Sequence, residues 1–282
     1  LTNYITGLGY PDEDNELFKK FWPADLHVIG KDIIRFHTVY WPAFLMSAGL
    51  EVQHRVFAHG FLTVDGQKMS KSLGNVIDPF ALVETFGQDA VRYFFLREVS
   101  FGSDGDYSHE KLVNRVNADL ANNLGNLAQR SLSMINKNCE GRVPELGELT
   151  EADNALIAEV TEAIAEAQKA MDKQLVHEAT GAIVGALSSA NNYFAAQEPW
   201  ALKKTDPVRM ATVLYVTADT VRRLAIPMQA FVPASAERLL DQLAVPIDQR
   251  ALQAAFNANS LLANTELPAP QGVFARLEKP AE

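Results

Sequence analysis

The chain has 282 residues, 48% of them hydrophobic, and 25 Lys and Arg against 35 Asp and Glu for a formal net charge of -10. That is enough for two ordinary domains or one long domain with an appendage, with apolar runs too short and interrupted to span a membrane. The acidic balance excludes a general nucleic-acid coat, and Cys139, the only cysteine, excludes a disulfide framework or a cysteine-based zinc knuckle within these residues.

A lone thiol fits a reducing compartment, and a few directed contacts to RNA stay compatible with the charge. The first residues, Leu1-Thr2-Asn3-Tyr4, carry neither an initiator Met nor a secretory or transit signature. The expectation is a chain that begins inside a folded unit. Asp25–Gly30, "DLHVIG", is a short apolar run ending in Gly and predicts a buried parallel strand. A helix is predicted from about Lys31 to Ala48, stopped by Gly49, with Ile33, Phe36, His37 and Tyr40 on one face and a kink from Pro42 in its second half. Arg55–Val64 is β-rich, and Asp65-Gly66 is a hairpin turn signal. Strand, helix and strand at this spacing make a βαβ unit.

Helix signals take over from Asp78, an N-cap followed by Pro79 at the first helical position and closed by Gly87. A helix over Asp89–Glu98 leads to a loop, "SFGSDGDYS". Helices are then predicted at about 110–137, 151–195, 207–226 and 234–243, with Thr150 and Asp153 as a capping box and Asp206-Pro207 as a further cap-then-Pro start. Leu261–Glu282 is Pro-containing and poorly periodic, a docked or frayed tail. The fold class is therefore α/β then all-α, ending in an antiparallel helical bundle.

Residues 66–75, "GQKMSKSLGN", raise the functional question. Two lysines three apart, Lys68 and Lys71, are most simply solvated surface. Here they follow a predicted strand, where open α/β sheets place ligands. Ammonium groups there would neutralise polyphosphate oxygens, with Ser70 and Ser72 as hydroxyl donors. The glycine spacing of a Walker A loop is lacking. Farther on, Asn122, Asn126 and Arg130 are spaced i, i+4, i+8 along one helix face, a poor choice of residues for plain solvated helix. Trp200, next to Pro199 at a helix entry, reads from the residues alone as interface core between bundle helices.

"KMSKS" at 68–72 resembles the second signature of class I aminoacyl-tRNA synthetases. The surrounding "FxxVxGxKMSKSxGNxI", "HVIGKDIIRFH" at His27–His37, "NADLANNLGNLAQR" and "QEPWALKK" are similar to methionyl-tRNA synthetases, a likeness that runs along essentially the whole chain. The resemblance implies the second half of a Rossmann-type nucleotide-binding domain at 1–77, a connecting, stem-contact region at 78–110 and an α-helical anticodon-binding domain with its tail at 111–282. It implies activation of methionine with ATP and Mg2+ to methionyl-adenylate, then transfer to tRNA(Met), in a cytoplasmic protein with no membrane partner. Lys68 and Lys71 would stabilise the departing pyrophosphate, aided by Ser70 and Ser72; Gly30, Asp32 and His59 would border the nucleotide with Lys71. Tyr4, Ile33 and His37 would line the methionine pocket, and Asn122, Asn126, Arg130 and Trp200 would meet the CAU anticodon.

The family's HIGH-type signature, its inserted zinc-knuckle region and a Trp-containing stretch ahead of Tyr4 do not occur in these residues. The expectation is that adenylation needs that N-terminal segment of the same enzyme, attached or as a nicked partner, and that any zinc would belong to it. Two rivals carry different expectations: a synthetase for Leu, Ile, Val or Cys, or a tRNA-binding or scaffold module without adenylation. "IGKDIIRFH" and the Asn/Arg/Trp set argue against the first.

Overall fold

The computed structural model describes residues 1–278, the side chain of Lys71 excepted. They fall into two units, Leu1–Met69 with Phe101–Asp106, and Ser70–Ser100 with the residues from Tyr107 onward. The fold is small sheets followed by helices, as the residue pattern implies.

In the first unit, α1 (Asn3–Thr6) and α2 (Glu16–Phe21) lead to β1 (His27–Gly30). Asn15 caps α2 by accepting from the Leu17 amide. β1 pairs in parallel with β2 (Val56–His59), His27 opposite Val56 and Gly30 opposite His59. The strand is buried on one face only, for His27 and Ile29 are covered while Val28 is exposed. Between the strands runs a 3₁₀ turn at Lys31–Ile33, a π segment at Phe36–Tyr40 and α3 (Trp41–Ser47). Ile5, Phe18, Trp41 and Leu45 form this unit's core.

The expected kink lies ahead of Pro42 and not in the helix's second half. Proline has no N–H for the carbonyl four residues back and its ring crowds that carbonyl, so the preceding turn widens. That widening also breaks the expected stripe: His37 is buried, whereas Ile33, Phe36 and Tyr40 stay exposed.

Arg55–Val64 is two strands and not one. Between β2 and β3 (Leu62–Val64) sits Gly60, where a Cβ would lie 2.2 Å from the Ser103 carbonyl oxygen. Only glycine lets that loop approach. Asp65 and Gly66 take φ of 50° and 73° and return the chain as β4 (Gln67–Lys68), with Thr63 opposite Lys68. The expected loop "SFGSDGDYS" contains β5 (Gly105–Tyr107) on the other edge of β3, its Gly105 amide donating to the Phe61 carbonyl at 2.9 Å. Asp106 draws the hairpin in by accepting from the Gly66 amide and the Thr63 hydroxyl.

The second unit opens with α4 (Pro79–Phe86), where the Asp78 carboxylate accepts from the Phe80 amide and Gly87 ends the helix at φ 81°. It continues through α5 (Gln88–Glu98), α6 (His109–Val116), a π segment at Asn117–Gly125 and α7 (Asn126–Asn138). The expected helix at 151–195 is two antiparallel helices, α8 (Glu151–Asp172) and α9 (Val176–Gln197). Gln174 at φ 59° makes the reversal without a glycine or proline to mark it. Then come α10 (Pro199–Thr205), α11 (Pro207–Met228), α12 (Pro233–Gln242) and α13 (Leu252–Phe256).

The tail docks. Leu267 donates to the Gly141 carbonyl, and Asn117 exchanges two hydrogen bonds with the Leu277 backbone at 2.8 and 2.9 Å. Residues 279–282, the end of the predicted tail and of the 111–282 region, lie outside the described residues.

The capping box at Thr150 and Asp153 is present, and it is part of something larger. Asp153 is 0% exposed and receives a bidentate pair from Arg209, Nη1 at 2.5 Å and Nη2 at 2.8 Å, together with the Tyr193 hydroxyl and the Thr150 amide. Burial alone would raise its carboxyl, but these donors outweigh it and hold the pKa down to about 2. A folded-state value below the ordinary carboxylate range favours the native state above about pH 4, and the contribution is lost as pH falls toward 2. Asp153→Asn leaves the Arg209 charge half-buried and unpaired; the expected cost is about 3–5 kcal/mol, read as a lower urea midpoint at pH 7 and a shallower loss of stability between pH 4 and 2.

Candidate functional site

In the first unit, Tyr4 on α1 and His37 on the π segment meet: Tyr4 Oη lies 2.9 Å from His37 Nε2. His37 Nδ1 is 3.0 Å from the Ile33 carbonyl, so in the neutral ring Nδ1 donates to that carbonyl and Nε2 accepts from the tyrosine hydroxyl. Leu1, Asn3, Tyr4 and His37 line an open cavity of about 250 Å³. Ile33 contributes its carbonyl to His37, and its side chain is exposed.

Three aromatic neighbours were not singled out from the residues: His27, Trp22 and Trp41. The His27 ring lies 4.4 Å from Tyr4 and 5.9 Å from His37, and Trp41 lies 6.1 Å from Tyr4 and 5.9 Å from Trp22. Burial first, and the neighbouring His37 second, push the His27 pKa down. Its Nε2 is buried without a hydrogen-bond partner. The signal that could have found them is aromatic density: Tyr4, Trp22 and Trp41 in one stretch, around a strand that begins with His27. Such a box offers dispersion and a single polar edge, which suits a neutral, polarizable side chain.

The β1-to-helix corner brings Gly30, Asp32 and His59 together. A Cβ on Gly30 would meet Asp32 Oδ1 at 2.5 Å and the His59 ring at 3.9 Å, so glycine is what leaves the corner open. Phe101 stacks on Phe57 at 4.7 Å and on His59 at 6.3 Å. Beside it, Lys31 Nζ bonds both Asp104 oxygens at 2.7 and 2.8 Å and sits 5.0 Å over Phe61. That lysine pulls the Asp104 carboxyl below its usual range, with help from the Phe61 amide. Lys31 and Asp104 are additions of the fold, because their separation in sequence hid the pair.

The five-residue signature is not one loop. Lys68 closes β4 opposite Thr63, whereas Lys71 and Ser72 lie in the 3₁₀ turn Lys71–Leu73. The Ser70 and Ser72 hydroxyls are 2.7 Å apart, and Asn75 Oδ1 accepts from the Ser70 amide at 2.8 Å. Asn75 therefore shapes the turn that the lysine signature runs into. Among the described residues no group of three or more His, Cys, Asp or Glu could hold a metal ion, and no helix is long and apolar enough to cross a membrane.

In the second unit, the Arg130 guanidinium lies 5.0 Å over Phe194 and 5.6 Å over Trp200, and the two rings meet edge-on at 6.1 Å. Trp200 is 46% exposed, a stacked but uncovered indole. Asn122 and Asn126 are exposed, Asn122 within the π segment and Asn126 at the start of α7. The next residue, Asn123, fixes that segment: its carbonyl groups accept from Asn191 Nδ2, 2.7 Å at Oδ1, and its own amide donates to Ser188 Oγ at 3.0 Å. A guanidinium plane over aromatic faces, with exposed amides along the same helical run as the arginine, can stack an unpaired base and read its edge.

Comparison with known proteins yields two family models: tRNA synthetases class I (M) over residues 1–132, and the anticodon binding domain of methionyl tRNA ligase over 143–281. A methionine–tRNA ligase of Brucella suis is 63% identical over 98% of this chain and 53% of its own length. One from Mycobacterium bovis is 54% identical over 99% of this chain and 54% of its own. The solved Mycobacterium tuberculosis methionyl-tRNA synthetase in complex with methionyl-adenylate superposes with a TM-score of 0.92 at 54% identity, covering 98% of this chain and 54% of that one. The chain spans about half the length of the curated relatives it matches.

The buried His27 predicts a pH signature. Its pKa lies below the ordinary 6.5, so the unfolded chain takes up a proton that the folded one resists. Stability is expected to fall as pH drops below about 6.5, and His27→Gln should flatten that fall in thermal midpoints measured from pH 7 to 5.

Proposed function

Because this chain belongs to the methionyl-tRNA synthetase family, we propose that it is the part of a methionine–tRNA ligase that closes the adenylation site and reads the anticodon of tRNA(Met). The reading divides the chain into the end of a catalytic domain at 1–77, a connecting region at 78–110 and an anticodon-binding region at 111–282. The observation that carries it is the Arg130–Trp200 platform, which joins an arginine at the end of the stretch matched by the class I model to a tryptophan within the stretch matched by the anticodon-domain model.

The first reaction is attack of the methionine carboxylate on the α-phosphorus of ATP, with pyrophosphate leaving. No enzyme nucleophile is required, so catalysis lies in alignment and charge stabilisation. The thioether would lie against Tyr4, Ile33 and His37, with His37 held by the Ile33 carbonyl. Gly30, Asp32 and His59 would border the nucleoside, Asp32 accepting from ribose hydroxyls. Lys68 and Lys71, with the Ser70 and Ser72 hydroxyls, would meet the charge that develops on pyrophosphate; losing one such contact costs about 2–4 kcal/mol in the transition state. Mg2+ would arrive with the ATP phosphates. The protein would work in the cytoplasm. In the second unit Trp200 would stack one anticodon base while Asn122, Asn126 and Arg130 take polar edges.

The two halves of the reading separate experimentally. In a full-length ligase bearing this segment, Lys71→Ala should depress methionine-dependent pyrophosphate exchange about 100-fold and leave tRNA binding near wild type. Unchanged exchange would remove Lys71 from the reaction, and exchange with leucine or cysteine instead of methionine would remove the substrate assignment. Trp200→Ala should spare exchange and weaken binding of an RNA hairpin with a CAU loop by about 1–3 kcal/mol.

A further inference from the structure

Trp200 and Phe194 belong to a short stretch that is tied down at both ends. Tyr193, next to Phe194, donates its hydroxyl to Asp153. Gln197 is the last residue of α9, ahead of Glu198 in the left-handed region at φ 44° and Pro199 at the start of α10. Its Oε1 accepts from Arg209 Nη2 at 2.7 Å. The same Arg209 holds Asp153 through both oxygens, and Asp153 is pinned to the head of α8 by the Thr150 amide at 2.7 Å. One buried carboxylate and one guanidinium thus grip both sides of the segment that presents the two rings beneath Arg130.

The geometry of that corner demands such a grip. Glu198 is a non-glycine residue at positive φ, a conformation that surrounding contacts must impose. Trp200 itself is half-exposed and makes its described side-chain contacts with Phe194 and Arg130. Packing on one face leaves the indole free to swing with the α9–α10 corner; a hydrogen bond on the residue before the corner removes that freedom.

We propose that Gln197 and Arg209 are positioning residues for anticodon reading: through the Arg209–Gln197 hydrogen bond, the buried Asp153–Arg209 pair sets the angle at which Trp200 meets a base. The proposal rests on the anticodon reading above and goes beyond it, because the platform's contacts run between Arg130, Phe194 and Trp200 and include neither residue. Its physical content is preorganisation: a base stacked on a fixed indole does not spend binding energy on ordering the corner.

The test uses this chain and an RNA hairpin with a CAU loop. Gln197→Ala removes one arm of the network and leaves the Asp153–Arg209 pair. It should weaken hairpin binding roughly tenfold, within the range that loss of a base–aromatic stack gives, with a thermal midpoint within about 2 °C of wild type. Gln197→Glu keeps an acceptor for Arg209 and should bind like wild type. The double variant with Trp200→Ala should bind no more weakly than Trp200→Ala alone, since both changes disable one element. The proposal is overturned if Gln197→Ala binds like wild type while Trp200→Ala does not, if the two losses multiply, or if the loss tracks a drop in thermal midpoint. If Trp200→Ala itself leaves binding unchanged, the anticodon reading falls first, which distinguishes the two failures.

Discussion

In the helical unit, α11 is buried on nearly every side, yet it carries charge: Asp219, Arg222 and Arg223 are 2%, 3% and 1% exposed. A charge taken out of water must find partners or the fold does not persist. Here the partners are mostly backbone. Arg223 donates to the carbonyls of Ala255 and Ile157 and to the Thr161 hydroxyl, and Arg222 donates to Asp219 and to the carbonyls of Ala254 and Asn257. Asp219 in turn accepts from the Asn259 and Ser260 amides, and the Tyr215 hydroxyl reaches the Leu261 carbonyl. The central helix therefore holds irregular chain after α13 by supplying the hydrogen bonds that a helix or sheet would otherwise provide. Arg209, near the start of the same helix, ties the α8 and α9 ends through side chains, Asp153 and Thr150 on one side and Gln197 on the other.

The two candidate sites use aromatic surface differently. In the first unit Tyr4, His27, His37 and Trp41 turn toward one another; Tyr4 and His37 spend their hydrogen bonds on each other and on the Ile33 carbonyl, while His27 Nε2 and Trp41 Nε1 are buried without a partner. An aromatic set of that kind selects by shape and dispersion, where one methylene is worth only about 1–3 kcal/mol. In the second unit the Trp200 face is open, and the exposed Asn122 and Asn126 amides lie on the neighbouring helical run. A pocket of the first kind suits a small, flexible side chain. A face of the second kind suits a flat base already unstacked in a loop.

Much of the fold was legible in short-range chemistry. Asp78-Pro79, Thr150 with Asp153, Asp206-Pro207 and Asp65-Gly66 were each readable because caps and primed turns depend on a few adjacent residues. The breaks were hidden where the cause lay elsewhere in the chain or had no marker residue. Gly60 splits a β-rich run because of Ser103, and Gln174 reverses a helix with no glycine or proline nearby. Pro42 announced an irregularity but not its side, since the steric conflict falls on the turn before it. The same division holds for the candidate sites. Tyr4, His37, Arg130 and Trp200 stood out by residue type, spacing and resemblance, whereas His27, Lys31 with Asp104, and Gln197 with Arg209 acquire meaning only through partners.

The sequence alone determined which residue types were at hand and where the chain would turn, because local backbone sterics, caps and periodicity act over a few residues. It carried the lysine signature, the helix stripe and the change from α/β to helix. Tertiary structure decided which of those groups touch. It put Arg130 over Trp200, set Tyr4 on His37, and locked Asp153 to Arg209. Those contacts join segments distant in the chain, and their geometry follows from packing whole helices and strands together, which no window of residues contains.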